Sequence, residues 1–145
     1  MQVRDAMTSS VRLATPGQTI RDAARLMAEI DAGSLPVSEN DRLVGMITDR
    51  DIAVRAVARG LGPDTPVREV MSTDQVLYCF EDDKVDDVAK NMGEVKVRRL
   101  PVVDRSKRLV GIISLGDVAQ REQRAAGKSY EKISEKGGPH VQATH

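Results

Sequence analysis

Apolar residues in the first part of the chain fall at helical and then at extended spacing. Ile20, Ala23, Ala24, Met27 and Ile30 lie along one stripe of a helix. Thr19 stands at its N-cap position with Asp22 three residues on, the form of a capping box. Gly33 reads as the stop. Leu35-Pro36-Val37 is short and extended, and its proline argues against a central place in a hydrogen-bonded ladder. A polar turn over 38–42 leads into the apolar, β-rich run 43–47. A second helix is expected over 51–59, closed by Gly60.

The pattern then recurs. Val3-Arg4-Asp5-Ala6-Met7-Thr8 returns as Val67-Arg68-Glu69-Val70-Met71-Ser72. Ile20, Asp22, Ala24, Met27 and Ile30 return as Val85, Asp87, Ala89, Met92 and Val95. Leu35-Pro36-Val37 becomes Leu100-Pro101-Val102, and Leu43-Val44-Gly45-Met46-Ile47-Thr48 becomes Leu109-Val110-Gly111-Ile112-Ile113-Ser114. Asp51-Ile52 becomes Asp117-Val118, and the offset drifts from 64 to 66 through two single-residue insertions at expected loops. Blocks repeated in one order make the chain two copies of a unit of ~60 residues.

The second copy predicts a helix over about 83–93, strands over 100–103 and 109–113, and a helix from Gly116 into the 120s. Each unit reads β-α-β-β-α, so the expected fold class is α+β. Residues 1–60 form the first unit, 61–66 the linker, 67–124 the second unit and 125–145 a partly disordered tail with a short helix near 130–133. A unit of this size buries only about 60% of the surface its unfolded chain exposes. Two copies pressed sheet to sheet would share one core.

Composition narrows the function. The 145 residues are 40% hydrophobic and 30% charged, enough to bury a core and unlike a disordered chain. Lys plus Arg is 22 and Asp plus Glu is 22, so the basic excess usual for phosphate-backbone binding is missing. Aromatics are 2%, too few for a base-stacking platform. General nucleic-acid binding is therefore not expected. Cys79 is the single cysteine, which excludes an intrachain disulfide and a cysteine-rich zinc site. Sitting in an apolar run, it reads as a small buried hydrophobe, with redox activity as the alternative. Both histidines, His140 and His145, fall in the tail, so no metal site is predicted. The N-terminus lacks the basic start and apolar run of a signal peptide. No stretch approaches ~18 consecutive apolar residues, and no membrane association is expected. The expected location is cytoplasmic.

Two short constellations carry candidate chemistry. Thr48-x-x-Asp51 and Ser114-x-x-Asp117 each stand between an apolar strand and a helix start. A hydroxyl beside free backbone N–H groups at a helix N-terminus suits phosphate. A carboxylate one turn on suits the two hydroxyls of a ribose. The same spacing is also a capping box that needs no ligand. The acidic run Glu81-Asp82-Asp83 with Asp86-Asp87 reads as a solvated helix N-terminus favoured by the macrodipole, with a divalent cation as the alternative.

The twice-repeated Leu-Pro-Val and Val-Gly-Met/Ile-Ile-Thr/Ser-x-x-Asp blocks resemble the cystathionine β-synthase (CBS) domain family. A tandem pair of these domains is called a Bateman module. The likeness covers residues 1–122 or so, and Thr48-Asp49-Arg50-Asp51-Ile52 is similar to small stand-alone bacterial CBS pairs. It implies two βαββα units with pseudo-twofold symmetry, sheets packed together, helices outside, and two clefts between the units. It further implies a homodimer formed through helices, with an unidentified protein partner. No obligatory cofactor is implied; the implied ligands are AMP, ADP, ATP, S-adenosylmethionine or NAD(H).

Arg99-Leu100-Pro101-Val102-Val103-Asp104 and Ser114-Leu115-Gly116-Asp117 also resemble the γ subunit of AMP-activated kinase. By that resemblance Arg99 reaches phosphate in the cleft of Ser114 and Asp117, whose far wall is Thr8, Arg12 and Ser34. The other cleft uses Thr48 and Asp51, walled by 72–76, with Arg50 and Arg55 adding charge. With so few aromatics, an adenine would sit between aliphatic side chains. The implied function is regulatory: an energy- or metabolite-sensing nucleotide-binding module that signals through packing or partner affinity. A structural homodimer with empty clefts is the alternative. No nucleophile–base pair stands on the repeats, so catalysis is not expected.

Overall fold

The computed structural model describes residues 1–74 and 76–126. The helix near 130–133, the tail's disorder and both histidines lie outside the described residues. Helix α1 is the single turn Val3–Ala6, followed by α2 (Ile20–Ile30), β1 (Ser34–Glu39) and β2 (Arg42–Thr48). Helix α3 opens as Asp49–Asp51 and continues as a π turn, Ile52–Ala56, and a 3-10 turn, Val57–Arg59. The second copy begins with the 3-10 turn Val67–Glu69. It continues through β3 (Cys79–Phe80), α4 (Val85–Val95), β4 (Arg99–Val103), β5 (Leu109–Ser114) and α5 (Leu115–Ala126).

The class is α+β, with one small sheet per unit. Strands β1 and β2 are antiparallel, with Ser34 opposite Thr48 and Leu35 opposite Ile47. In the second unit β3 runs parallel to β4, which pairs antiparallel with β5, placing Arg99 opposite Ser114 and Leu100 opposite Ile113. Where the second unit has β3, the first has only a parallel bridge between Ala14 and Val37.

Three local expectations need correction. Pro36 is flanked on both sides, by β2 and by Ala14. The ladder tolerates it because the Ala14 side uses the Pro36 carbonyl, which accepts from the Ala14 N–H at 3.0 Å, and the Ser38 N–H, which donates to the Ala14 carbonyl at 2.9 Å. No proline N–H is needed there. The stop of α2 is not Gly33: Asp31 takes the left-handed conformation with φ 54°, and Lys96 does the same after α4 with φ 60°. Helix α4 also starts at Val85 rather than 83, because the Asp83 carboxylate instead accepts from the Phe80 N–H at 2.9 Å.

The buried side chains form two clusters, not one. Ile20, Met27, Leu35, Val37 and Ile47 of the first unit enclose Val67 and Val70. Val85, Met92, Leu100, Val102 and Ile113 of the second enclose Val3 and Ala6. Each copy thus sends its opening segment into the other copy's core, where Val3 and Val67 are fully buried. That exchange accounts for two marginal units folding together in one chain.

Candidate functional site

Strand alternation decides what faces the space between the sheets. Leu35, Val37 and Ile47 turn into one core and Leu100, Val102 and Ile113 into the other. The opposite faces carry Ser34, Pro36, Met46 and Thr48 on one side and Arg99, Pro101, Ile112 and Ser114 on the other. These faces bound two clefts.

The first cleft, about 260 Å³, gathers Thr8, Arg12, Ser34, Arg99, Ser114 and Asp117 around the aliphatic walls Pro36, Met46, Leu100, Pro101 and Ile112. The second, about 720 Å³, is lined by Thr48, Arg50, Ser72, Asp74 and Arg98, and again by Ser34 and Arg99. Ligand pockets usually span about 300–1,000 Å³, so the first is tight for a nucleotide and the second roomy. Arg99 lines both. Asp51 lines neither.

The two Thr/Ser-x-x-Asp motifs differ in geometry. The Asp117 N–H donates to Ser114 Oγ at 3.1 Å, so Ser114 caps α5. Among the described residues the Asp117 carboxylate has neither a hydrogen bond nor an ion pair, and it faces the first cleft. Thr48 and Asp51 form a reciprocal capping box: the Asp51 N–H donates to Thr48 Oγ1 at 3.0 Å, and the Thr48 N–H to Asp51 Oδ2 at 3.1 Å. Arg55 Nε lies 3.8 Å from Asp51 Oδ1, and Ser72 Oγ lies 3.4 Å from both carboxylate oxygens. The Asp51 side chain is only 13% exposed.

Arg12 is bound at 3.1 Å to Glu29 in an exposed pair that tempers its charge in the first cleft. Arg99 makes no ion pair among the described residues and is the more available cation. Asp74, within the expected wall 72–76, and Arg98 join the second cleft, and Met46 and Pro101 wall both. Period-two alternation from Ser34 and Arg99 is the signal that would have found the wall residues.

The other constellations are structural. Cys79 is 6% exposed, and burial, reinforced by the nearby Asp83 charge, pushes its thiol pKa up to about 12. Asp82 is gripped by Arg105, whose Nε donates to Oδ2 at 3.0 Å while Nη2 lies 2.7 Å from Oδ1. That guanidinium also lies 4.1 Å from the centroid of the Phe80 ring. Among the described residues, no three His, Cys, Asp or Glu side chains are grouped to hold a metal ion. Nor is any helix among them long and apolar enough to cross a membrane.

The family model described as "CBS domain" matches residues 3–57 and 63–123, one match on each repeat. The chain belongs to the CBS domain family. A CBS domain-containing protein of Bacillus subtilis, YhcV, is 43% identical over 134 residues, which cover 91% of this chain and 94% of the relative. The crystal structure of Hypoxic Response Protein I, which carries two coordinated zinc ions, aligns at TM-score 0.73 and 36% identity, covering 83% of this chain and 98% of that one. A curated relative of that name comes from Mycobacterium tuberculosis. The crystal structure of CBSX2 in complex with AMP aligns at TM-score 0.75 and 28% identity, covering 87% and 98%. CBS pairs of this kind thus include a nucleotide binder.

Proposed function

We propose that this CBS pair is a regulatory adenosyl-nucleotide sensor. The supporting observation is the first cleft. There the Asp117 carboxylate and Arg99, neither in an ion pair among the described residues, converge with the Ser114-capped start of α5 between aliphatic walls. Asp117 would accept from both ribose hydroxyls, as acidic residues do in dinucleotide-binding folds. The helix start and Arg99 would take phosphate, Arg99 through its planar fork. Adenine would pack between Pro36, Met46 and Ile112.

The cleft is built from both units, so a bound ligand shifts their packing by the difference in its affinity for the two arrangements. The described cleft residues supply no nucleophile with an adjacent base, and the protein in this reading binds its ligand unchanged. Val54 and Val57, 49% and 68% exposed at the end of α3, are the apolar surface through which two copies would pair.

Thermal shift with AMP, ADP, ATP, S-adenosylmethionine and NADH tests the reading. A ligand at 100 times its Kd adds about 2.7 kcal/mol of stability. Asp117→Ala should abolish the shift. A flat response to the whole panel would leave the other reading, an interaction protein whose clefts stay empty and whose surface does the work.

A further inference from the structure

The two copies carry the same four chemical groups at matching positions: Thr48, Asp51, Arg55 and Ser72 against Ser114, Asp117, Arg121 and Thr8. Yet they are arranged in opposite states. In the second copy the carboxylate is open to its cleft. In the first it is turned back on its own helix start, closed over by Thr48, Arg55 and Ser72, and absent from the cleft wall. The local difference is the π turn Ile52–Ala56, where α5 stays a regular α-helix. Within that turn Arg55 reaches Asp51 on one side and the Met71 carbonyl, 3.4 Å from Nη1, on the other. Single π turns inside helices often mark functional positions.

We infer that Asp51, Arg55 and Ser72 act as a latch that withholds the ribose-binding carboxylate from the second cleft, so that the chain takes one adenosyl ligand and takes it in the Ser114–Asp117 cleft. This rests on the nucleotide-sensing reading above and assigns its stoichiometry. To engage a ribose, the Asp51 carboxylate would have to turn out of its 13%-exposed seat and give up Arg55 and Ser72. Losing those partners lowers affinity by roughly tenfold or more. A second, independent feature acts in the same direction. Arg99 is common to both clefts, so a phosphate held in the first removes it from the second. The second cleft keeps Arg50 and Arg98, but Asp31, Asp49 and Asp74 on its lining offset them.

Calorimetric titration of the full chain with AMP tests the latch. Wild type should show one binding event per chain. Asp117→Asn should weaken that event about tenfold or more, whereas Asp51→Asn should leave it in place. The double variant Arg55→Ala with Ser72→Ala removes the latch but not the cap and should add a second event. Two equal events in wild type, or loss in Asp51→Asn with Asp117→Asn unaffected, would overturn the latch while leaving nucleotide sensing intact. Silence with every adenosyl ligand would remove the sensing reading itself, and the latch with it.

Discussion

Thr8 and Ile112 exchange two main-chain hydrogen bonds, the Thr8 N–H donating at 2.8 Å and the Ile112 N–H at 2.9 Å. Ser72 and Met46 do the same at 2.8 and 2.9 Å. Each repeat's opening segment is thereby stitched to the other repeat's last strand, beside the residue that walls the clefts. A ligand seated between the units would therefore press on a junction that both cores share.

The stitch explains the two repeat glycines and gives the first prediction. A Cβ on Gly45 would lie 2.8 Å from the Ser72 carbonyl oxygen and 3.2 Å from Met71 Sδ. On Gly111 it would lie 2.5 Å from Met7 Sδ and 3.0 Å from the Thr8 oxygen. Gly45→Ala and Gly111→Ala should each destabilise by about 1–3 kcal/mol in urea unfolding. Gly45→Ala should be the worse, because its closest clash is with backbone rather than with a pliable thioether. Gly93→Ala is the control. It meets nothing within 4 Å in α4 and should gain about 0.5–1 kcal/mol from lower chain entropy. Equal effects at all three positions would mean that the close approach is not what the repeat glycines serve.

Exchange of the opening segments sets which core each residue supports. Val3 stands first in the chain's first repeat but is buried among Val85, Met92 and Ile113 of the second. Val3→Ala should cost about 2 kcal/mol, at about 0.8 kcal/mol per buried methylene plus the cavity left. In hydrogen exchange the loss of protection should fall on β4 and β5 before β1 and β2. Val67→Ala should show the reverse order. Protection lost within each residue's own repeat would contradict the interlocked cores.

Much of this was written in the repeat. The capping pairs Thr19/Asp22 and Ser114/Asp117, the helical stripe of α2 and the paired strands all follow from local spacing, and the structure places their elements there. Thr8, Arg12, Ser34, Arg99, Ser114 and Asp117, singled out in the sequence, gather in one cleft, because alternation and a shared motif fix which way short strands face. Asp51 was not legible in that way. Thr48-x-x-Asp51 has the same form as its counterpart Ser114-x-x-Asp117, and the capping box that the spacing allows at both is, among the described residues, reciprocal only at the first. The left-handed Asp31 and Lys96 were equally silent, since neither is the glycine that usually marks such a helix end, and the crossing of residues 1–8 and 67–72 depends on contacts far along the chain.

Arg105 provides a pH-dependent pair. Its hydrogen bond to Asp82, reinforced by its charge, holds the Asp82 carboxyl below the ordinary value of 3.8, against partial desolvation. A carboxyl depressed on folding stabilises above its unfolded pKa, and that stabilisation is lost as pH falls through the folded value. By NMR titration Asp82 should therefore have its midpoint below 3.8 in wild type and return upward in Arg105→Ala. Arg105→Lys should restore only part of the depression, since an ammonium lacks the planar fork and stacks less well on Phe80. An unchanged midpoint in Arg105→Ala would assign the depression to another charge.

Cys79 should behave as a hydrophobe, not as a redox centre. Its thiol is pushed up to about 12 from an ordinary 9.0, first by burial and then by Asp83. The thiolate is the reactive form, so at neutral pH a thiol-directed reagent should label the native chain only as fast as it unfolds. The same shift fixes an alkaline dependence. Below pH 9.0 the thiol is protonated in both states, and the advantage of keeping it so on folding is intact. Between 9.0 and about 12 the unfolded chain releases the proton and the folded chain retains it. Stability should then fall by at most about 1.4 kcal/mol per pH unit from this group. Cys79→Ala removes the dependence while losing some packing, so the two chains' stabilities should converge as pH rises through that window. Urea unfolding of both from pH 8 to 11, at about half-unit steps, measures the convergence. Rapid labelling of native Cys79 at pH 7, or parallel alkaline curves for the two chains, would show that the thiol is neither sealed nor shifted.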